Sequence, residues 1–192
     1  MGTSAKVLTP RELGRVLEHV GQRGAAQRNR CIVLLSFRAG LRACEIAGLS
    51  WDMVTGPDGR ISTIIAVSGS IAKNGRGRNV PLHSELKAVL ATLRAAQGRP
   101  TAGPVVRSQR GGHMSAKSIV NWFTALYRQL GFDGCSSHSG RRTFITQSAR
   151  LLTKAGGSLR DIQELAGHRA LTTTERYIEG DREAQRKLIQ ML

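Results

Sequence analysis

Between Cys135 and Ile178 the chain runs CSSHSGRRTFITQS, then a linking stretch, then ELAGHRALTTTERYI, and it holds His138, Arg141, His168 and Tyr177. A tyrosine hydroxyl is a nucleophile once its proton is taken, an imidazole can move that proton, and a guanidinium offers a phosphate a planar fork of donors. Together these groups suffice to break a phosphodiester without a metal. His138 and Arg141 are three apart, hence on one helix face, near a helix start whose backbone dipole suits an anion. Arg142 points elsewhere on that helix and reads as support for the fold or a contact to nucleic-acid backbone. His168 follows Ala166-Gly167 and therefore lies in a turn, with Tyr177 nine residues later on a short helix. Each residue alone has a plainer reading, since a lone histidine is mostly structural and a tyrosine mostly packs. The other tyrosine, Tyr127, sits inside a regular amphipathic helix, where packing suits it.

Upstream residues can join this set. Arg42 and Glu45 are three apart and close enough to pair. They read as an ordinary surface ion pair, or as an arginine held by its carboxylate and aimed at a phosphate from the start of a short helix. Lys73 opens Lys73-Asn74-Gly75-Arg76-Gly77-Arg78, a glycine-rich basic loop between strands. Such a loop is either a solvated hairpin or an arm that brings Arg76 and Arg78 to DNA while the lysine acts on a leaving oxygen. It is not a nucleotide-binding phosphate loop, because no Gly-Lys-Ser/Thr follows.

The charge balance points the same way. Lys and Arg number 29 against 13 Asp and Glu, and the resulting +16 is spread along the chain rather than gathered in a tail. A folded basic surface calls for a polyanion, nucleic acid first. There is no apolar run of membrane length, no lipid-binding helix and no signal peptide, so the expected compartment is the cytoplasm, at the bacterial nucleoid. Cys31, Cys44 and Cys135 are odd in number and widely spaced, which excludes a disulfide framework or a zinc ribbon. Cys31 and Cys44 read as packing residues, and no metal or cofactor is expected.

Bringing these side chains together requires the chain to fold back repeatedly. Residues 1–8 are expected as a flexible lead. Thr9-Pro10-Arg11-Glu12 then starts a helix, with an N-cap, a proline at N1 and a capping-box glutamate; Leu13, Val16, Leu17 and Val20 form its stripe. A second, central helix is expected over Ala25 to Arg38, and a short one from Leu41. The β-branched run ISTIIAV and the segment NVPL predict a small antiparallel sheet of two or three strands. Helices follow at Ser84 to Gln97, after Ser115, over His138 to Leu152 and after Ser158, with Val105-Val106 as a short strand. Thr172 to Thr174 offers a cap before Tyr177, and Glu183 to Leu192 predicts a polar helix. With 192 residues, 40% of them hydrophobic, a single buried domain is expected across 1–192. The fold class is α+β, mainly helical.

Taken together, AGLRACEIAGLSW, AKNGRGRNVPL, HSGRRTFIT and LAGHRALTTTERYI resemble, in order and spacing, the catalytic domain of the tyrosine recombinase (phage integrase) family, over about Leu8 to Ile178. In length and in its start at LTPREL the chain resembles the small fimbrial phase-variation recombinases, which lack a separate N-terminal core-binding domain. The resemblance implies a site-specific recombinase that cuts and rejoins double-stranded DNA without metal or ATP. Tyr177 matches the nucleophile that becomes linked to the DNA 3′ end, and Arg42 and Arg141 the pair that grips the non-bridging oxygens. Lys73 matches the proton donor to the 5′ leaving oxygen, His138 a proton-transfer and phosphate-positioning residue, His168 a later hydrogen-bonding residue, and Glu45 a support for the first arginine. A homotetramer on two synapsed sites is implied, with the last helix packed on a neighbour, and with it accessory DNA-bending proteins. Two positions depart from the usual pattern: Gly140, where many members have a bulky residue, and Arg142, where many have a histidine. A non-catalytic DNA-binding regulator and a type IB topoisomerase-like relaxing enzyme are the alternatives.

Overall fold

The computed structural model describes residues 5–22, 24–73, 75–152, 154–175 and 189–190, and the fold is stated for these. In chain order it forms α1 (Pro10–Gly21), α2 (Ala26–Arg38), α3 (Ala43–Gly48), a 3₁₀ turn (Trp51–Met53), and the strands β1 (Ile64–Val67) and β2 (Arg78–Pro81). The helices α4 (Ser84–Ala96), α5 (Ala116–Leu130), α6 (Ser139–Leu151), α7 (Leu159–Ala166) and α8 (Leu171–Glu175) follow.

Helix α2 is the centre. Every residue from Cys31 to Phe37 is buried, which a helix exposing one face to water does not show. Helices α1, α4 and α6 pack around it, and α3 packs on α5. Burial pushes the Cys31 thiol up to about 12, so it stays a neutral packing group. Helix α1 starts as its residues dictate: Thr9 Oγ1 accepts from the Glu12 amide, and the Glu12 carboxylate accepts from the Thr9 amide. Tyr127, 2% exposed, stacks on Phe123 with ring centroids 5.8 Å apart. Burial also pushes its hydroxyl further from ionisation, which suits packing and not attack.

The lead differs from its expectation over residues 5–8. The Lys6 amide donates to Gly134 O (2.9 Å), and Leu8, 1% exposed, donates its amide to Thr143 Oγ1 on α6 (2.9 Å). An apolar side chain that completes the core fixes this segment. The sheet has two antiparallel strands, with Ile65 opposite Val80 and Val67 opposite Arg78. Val105 and Val106 are buried but form no strand. Ser50–Pro104 and Arg107–His113 are isolated bridges, and Pro104 has no amide to extend a ladder.

Past α6 the apolar packing thins. Ile145, Ile162 and Ala166 form a separate small cluster, with Phe144, Ala149, Leu152 and Leu159 against it. Gly140 explains one departure from the family pattern: a Cβ there would overlap Ser36 Oγ and the Phe37 ring, so glycine lets α6 lie directly against α2. The expected C-terminal helix lies outside the described residues, except for Ile189 and Gln190, which are helical and exposed.

Candidate active site

The site begins at the corner between α2 and α3. Gly40 adopts φ +62°, a left-handed turn that suits glycine, and a Cβ there would overlap the Phe144 ring. The helix then starts at Ala43 rather than at Leu41, so Arg42 is its N-cap, with extended backbone (φ −76°, ψ 159°). Glu45 sits at the third helical position with its side chain 0% exposed. Its Oε2 accepts from the Arg42 amide (2.8 Å) and its Oε1 from Arg42 Nη1 (3.0 Å). Arg78 grips the same carboxylate from the other side, Nη1 to Oε1 at 2.7 Å and Nη2 to Oε2 at 2.9 Å. The Arg42–Glu45 pair is therefore no ordinary surface ion pair. Burial alone would raise the Glu45 pKa; the Arg78 bonds, followed by the Arg42 amide and charge, outweigh it and hold the carboxyl below its ordinary value.

Arg141, in the first turn of α6 and 4% exposed, links this corner to the far side of the site. Its Nη1 donates to Gly40 O (2.6 Å), while its Nη2 donates to Ala166 O and lies 3.0 Å from His168 Nε2. A guanidinium only donates, so Nε2 is the acceptor. The ring proton then sits on Nδ1 and is donated to Thr174 Oγ1, 2.9 Å away. Burial first, and then the charges of Arg141, Arg42 and Arg78, lower the His168 pKa to about 4, so the ring is neutral at pH 7.

Local sequence delivers His168 to this place. Ser158 and Asp161 cap α7 reciprocally, with the Ser158 amide 2.6 Å from Asp161 Oδ2. Gly167 (φ +61°) ends the helix in the left-handed region, and the His168 amide returns to Gln163 O (3.0 Å).

His138 is the N-cap of α6. The residue is exposed as a whole, yet its pKa lies below 6.5, through burial of part of the ring first and then the charges of Arg141, Lys73 and Arg42. Arg42 and Arg141 thus act on both histidines, and Lys73 on His138; the fold brings these five side chains into one electrostatic neighbourhood. Lys73 and Arg76 are exposed on the loop between β1 and β2. Arg142 is half-buried, its amide donating to His138 O (2.9 Å). Tyr177 lies outside the described residues.

Arg78 differs most from its sequence-based placement. Expected to face DNA from the loop, it turns inward with its side chain 7% exposed. Its Nε donates to Leu165 O (2.9 Å). One signal was available: Glu45 stands in the apolar helix ACEIAG, and a fully buried carboxylate calls for more charged partners than one neighbouring arginine. Thr174 had no such signal; it read only as part of a cap. Among the described residues, no group of three or more His, Cys, Asp and Glu is placed to hold a metal ion, and no helix is long and apolar enough to cross a membrane.

Helices packed about one buried helix, a small two-stranded hairpin, and a cation cluster rooted in the fold define the catalytic-domain fold of the tyrosine recombinases. The Tn1549 transposon integrase, solved in complex with transposon right end DNA, has this fold: TM-score 0.78, 19% identity, over 100% of this chain and 67% of that one. XerA recombinase matches with TM-score 0.75 and 22% identity, over 99% of this chain and 64% of that one. The profile of the phage integrase family covers residues 6–183, and the chain belongs to that family. The tyrosine recombinase XerC of Brucella suis biovar 1 is 35% identical over 179 residues, 90% of this chain and 54% of the relative. The chain therefore spans about half the length of the curated relatives it matches.

Proposed function

We propose that the protein is a site-specific recombinase that cuts and rejoins double-stranded DNA through a covalent 3′-phosphotyrosyl intermediate on Tyr177. The observation that carries this reading is the anchoring of Arg141: a nearly buried guanidinium held by Gly40 O, Ala166 O and His168, beside an Arg42 held by Glu45. Cations fixed before the substrate arrives stabilise charge that develops on a phosphate without having to reorganise.

In this reading, Tyr177 Oη attacks the scissile phosphorus and the P–O5′ bond breaks. The tyrosine's proton passes to His138, whose lowered pKa leaves it unprotonated near neutral pH and able to accept. Lys73 gives a proton to the departing 5′ oxygen. Arg42 and Arg141 neutralise the non-bridging oxygens, and His168 keeps Arg141 aimed. The phosphotyrosine conserves the bond energy, so the reverse steps rejoin a strand with no further input. Arg76 and Arg142 contact the DNA backbone, drawing on the +16 surface. The proposal includes four protomers on two synapsed sites, the C-terminal segment packed on a neighbour, accessory DNA-bending proteins and action in the cytoplasm. It also includes the finer kinship with fimbrial phase-variation recombinases, for which inversion of a segment between two sites is the readout.

A nicked suicide duplex drawn from DNA flanking the gene, incubated with wild type and Tyr177→Phe, tests the reading on a denaturing gel. Wild type gives a covalent protein–DNA band and Tyr177→Phe gives none. A protein that binds the duplex equally in both forms and never forms the band is a DNA-binding regulator. One that relaxes supercoiled DNA lacking any site acts as a topoisomerase.

A further inference from the structure

Arg78 touches three of the elements that carry the site. It opens β2 and so closes the loop that bears Lys73. Its terminal nitrogens take both oxygens of Glu45, the carboxylate that holds the amide and side chain of Arg42. Its Nε donates to Leu165 O in the last turn of α7, and its stem runs so close to Gly167 that a Cβ there would come within 3.1 Å of Arg78 Cδ. His168 is the next residue. One guanidinium therefore joins the lysine loop, the start of the Arg42 helix and the His168 turn.

We infer that Arg78 is a positioning residue for strand cleavage, holding Arg42 through Glu45 and fixing the lysine loop against the His168 turn; the inference rests on the recombinase reading above. Without Arg78, Arg42 is the one described cation left on a buried carboxylate, and the attraction draws its side chain inward, away from a phosphate. The Arg78 bonds also do more than those of Arg42 to keep Glu45 ionised. Lysine cannot replace it, because an ammonium lacks the rigid fork that serves two carboxylate oxygens and a carbonyl in separate directions. Its 7% exposure keeps Arg78 itself from the DNA.

The test uses the full chain with Arg78→Lys, and the paired variant Arg78→Met/Glu45→Gln, which removes both buried charges and so keeps the question open if the single variant folds poorly. Duplex affinity and thermal melting are compared with single-turnover cleavage at saturating protein. The same duplex is then used with a methylphosphonate at the scissile position, where one non-bridging oxygen and its charge are absent. We expect near-native binding and melting, and cleavage slower by about 100-fold, the loss that a misplacement on the order of 1 Å brings: in Arg78→Lys because Arg42 is drawn onto Glu45, and in the pair because Arg42 loses the carboxylate that holds it. On the methylphosphonate the deficit shrinks to a few-fold, roughly, because less charge has to be met by a correctly placed Arg42. A merely structural role would slow both substrates alike. Native cleavage by both variants, or equal loss on both substrates, overturns the inference. If wild type itself forms no covalent product, the recombinase reading fails instead. Amide exchange at Arg42 and His168 then decides the tie: faster exchange in Arg78→Lys supports it, and unchanged exchange overturns it.

Discussion

Arg42 and Glu45 grow out of the main core, where Leu34, Leu35, Leu41 and Ile46 are fully buried, whereas His168 ends a helix whose own buried cluster is Ile145, Ile162 and Ala166. On the first side, apolar packing locates the backbone and the polar groups follow. On the second, polar bonds do much of the locating: Arg141 to Ala166 O, Arg78 to Leu165 O, and His168 to Arg141 and Thr174. The difference teaches that Arg141 and Arg78 serve two ends at once. They place positive charge beside His168, and they tie a lightly packed flank to a heavily packed one.

That contrast can be broken from its strongest point. Glu45→Ala leaves two arginines without their buried partner and should cost about 3–5 kcal/mol in denaturant unfolding. A loss under 1 kcal/mol, roughly the worth of an exposed pair, would place Glu45 at the surface after all. Next, Gly140→Val drives a side chain into Ser36 and Phe37 and should cost about 1–3 kcal/mol. Because α6 carries Arg141, strand cleavage should fall too. The smaller Gly140→Ala should lose less of both, and pairing it with Ser36→Gly, which clears the Ser36 overlap and leaves the one with Phe37, should recover part of that loss. A Gly140→Ala protein that melts and cleaves as wild type would mean that the α2–α6 contact is not what glycine serves.

The flank held by polar bonds should respond to smaller changes. Thr174→Val removes the acceptor for the His168 Nδ1 proton and should cost about 1 kcal/mol. Its signature is local: amide exchange quickens from His168 to Glu175 while the α2 amides keep their protection. Equal exchange in both regions would contradict the division.

Acid should act on the same flank. The His168 pKa is about 4 against 6.5 for an unperturbed ring, so between these values the unfolded chain binds the proton that the folded chain excludes. Its contribution to stability is fully present above pH 6.5 and is lost as pH falls toward about 4. The His168 ring signal, followed by NMR, should titrate near pH 4; titration near 6.5 would show that the ring is neither buried nor beside its arginines.

What could be read from the chain alone follows the same line. The α1 capping box, the buried run Cys31 to Phe37 of α2, the hairpin and the three-residue spacing of His138 and Arg141 are local patterns, and each has its local cause in the structure. The inward turn of Arg78 was illegible because its partner lies 33 residues away, and a glycine-rich basic loop favours solvent when read locally. Thr174 gave no sign, since only the fold of α7 and α8 puts it behind His168. The start of α3 was misplaced by two residues because Leu41 continues the apolar pattern, while Gly40 delays the helix and leaves Arg42 outside it. Residues 5–8 looked detached because the amide bonds of Lys6 and Leu8 reach across more than a hundred residues, to Gly134 and Thr143.

The central claim concerns one atom, the Tyr177 hydroxyl oxygen. The chain has two tyrosines, and Tyr127 is buried in α5. The most direct measurement is mass spectrometry of the protease-digested covalent complex formed on a nicked suicide duplex. The account predicts a nucleotide adduct on the peptide containing Tyr177, absent in Tyr177→Phe. An adduct at another residue, or one that survives Tyr177→Phe, would contradict it.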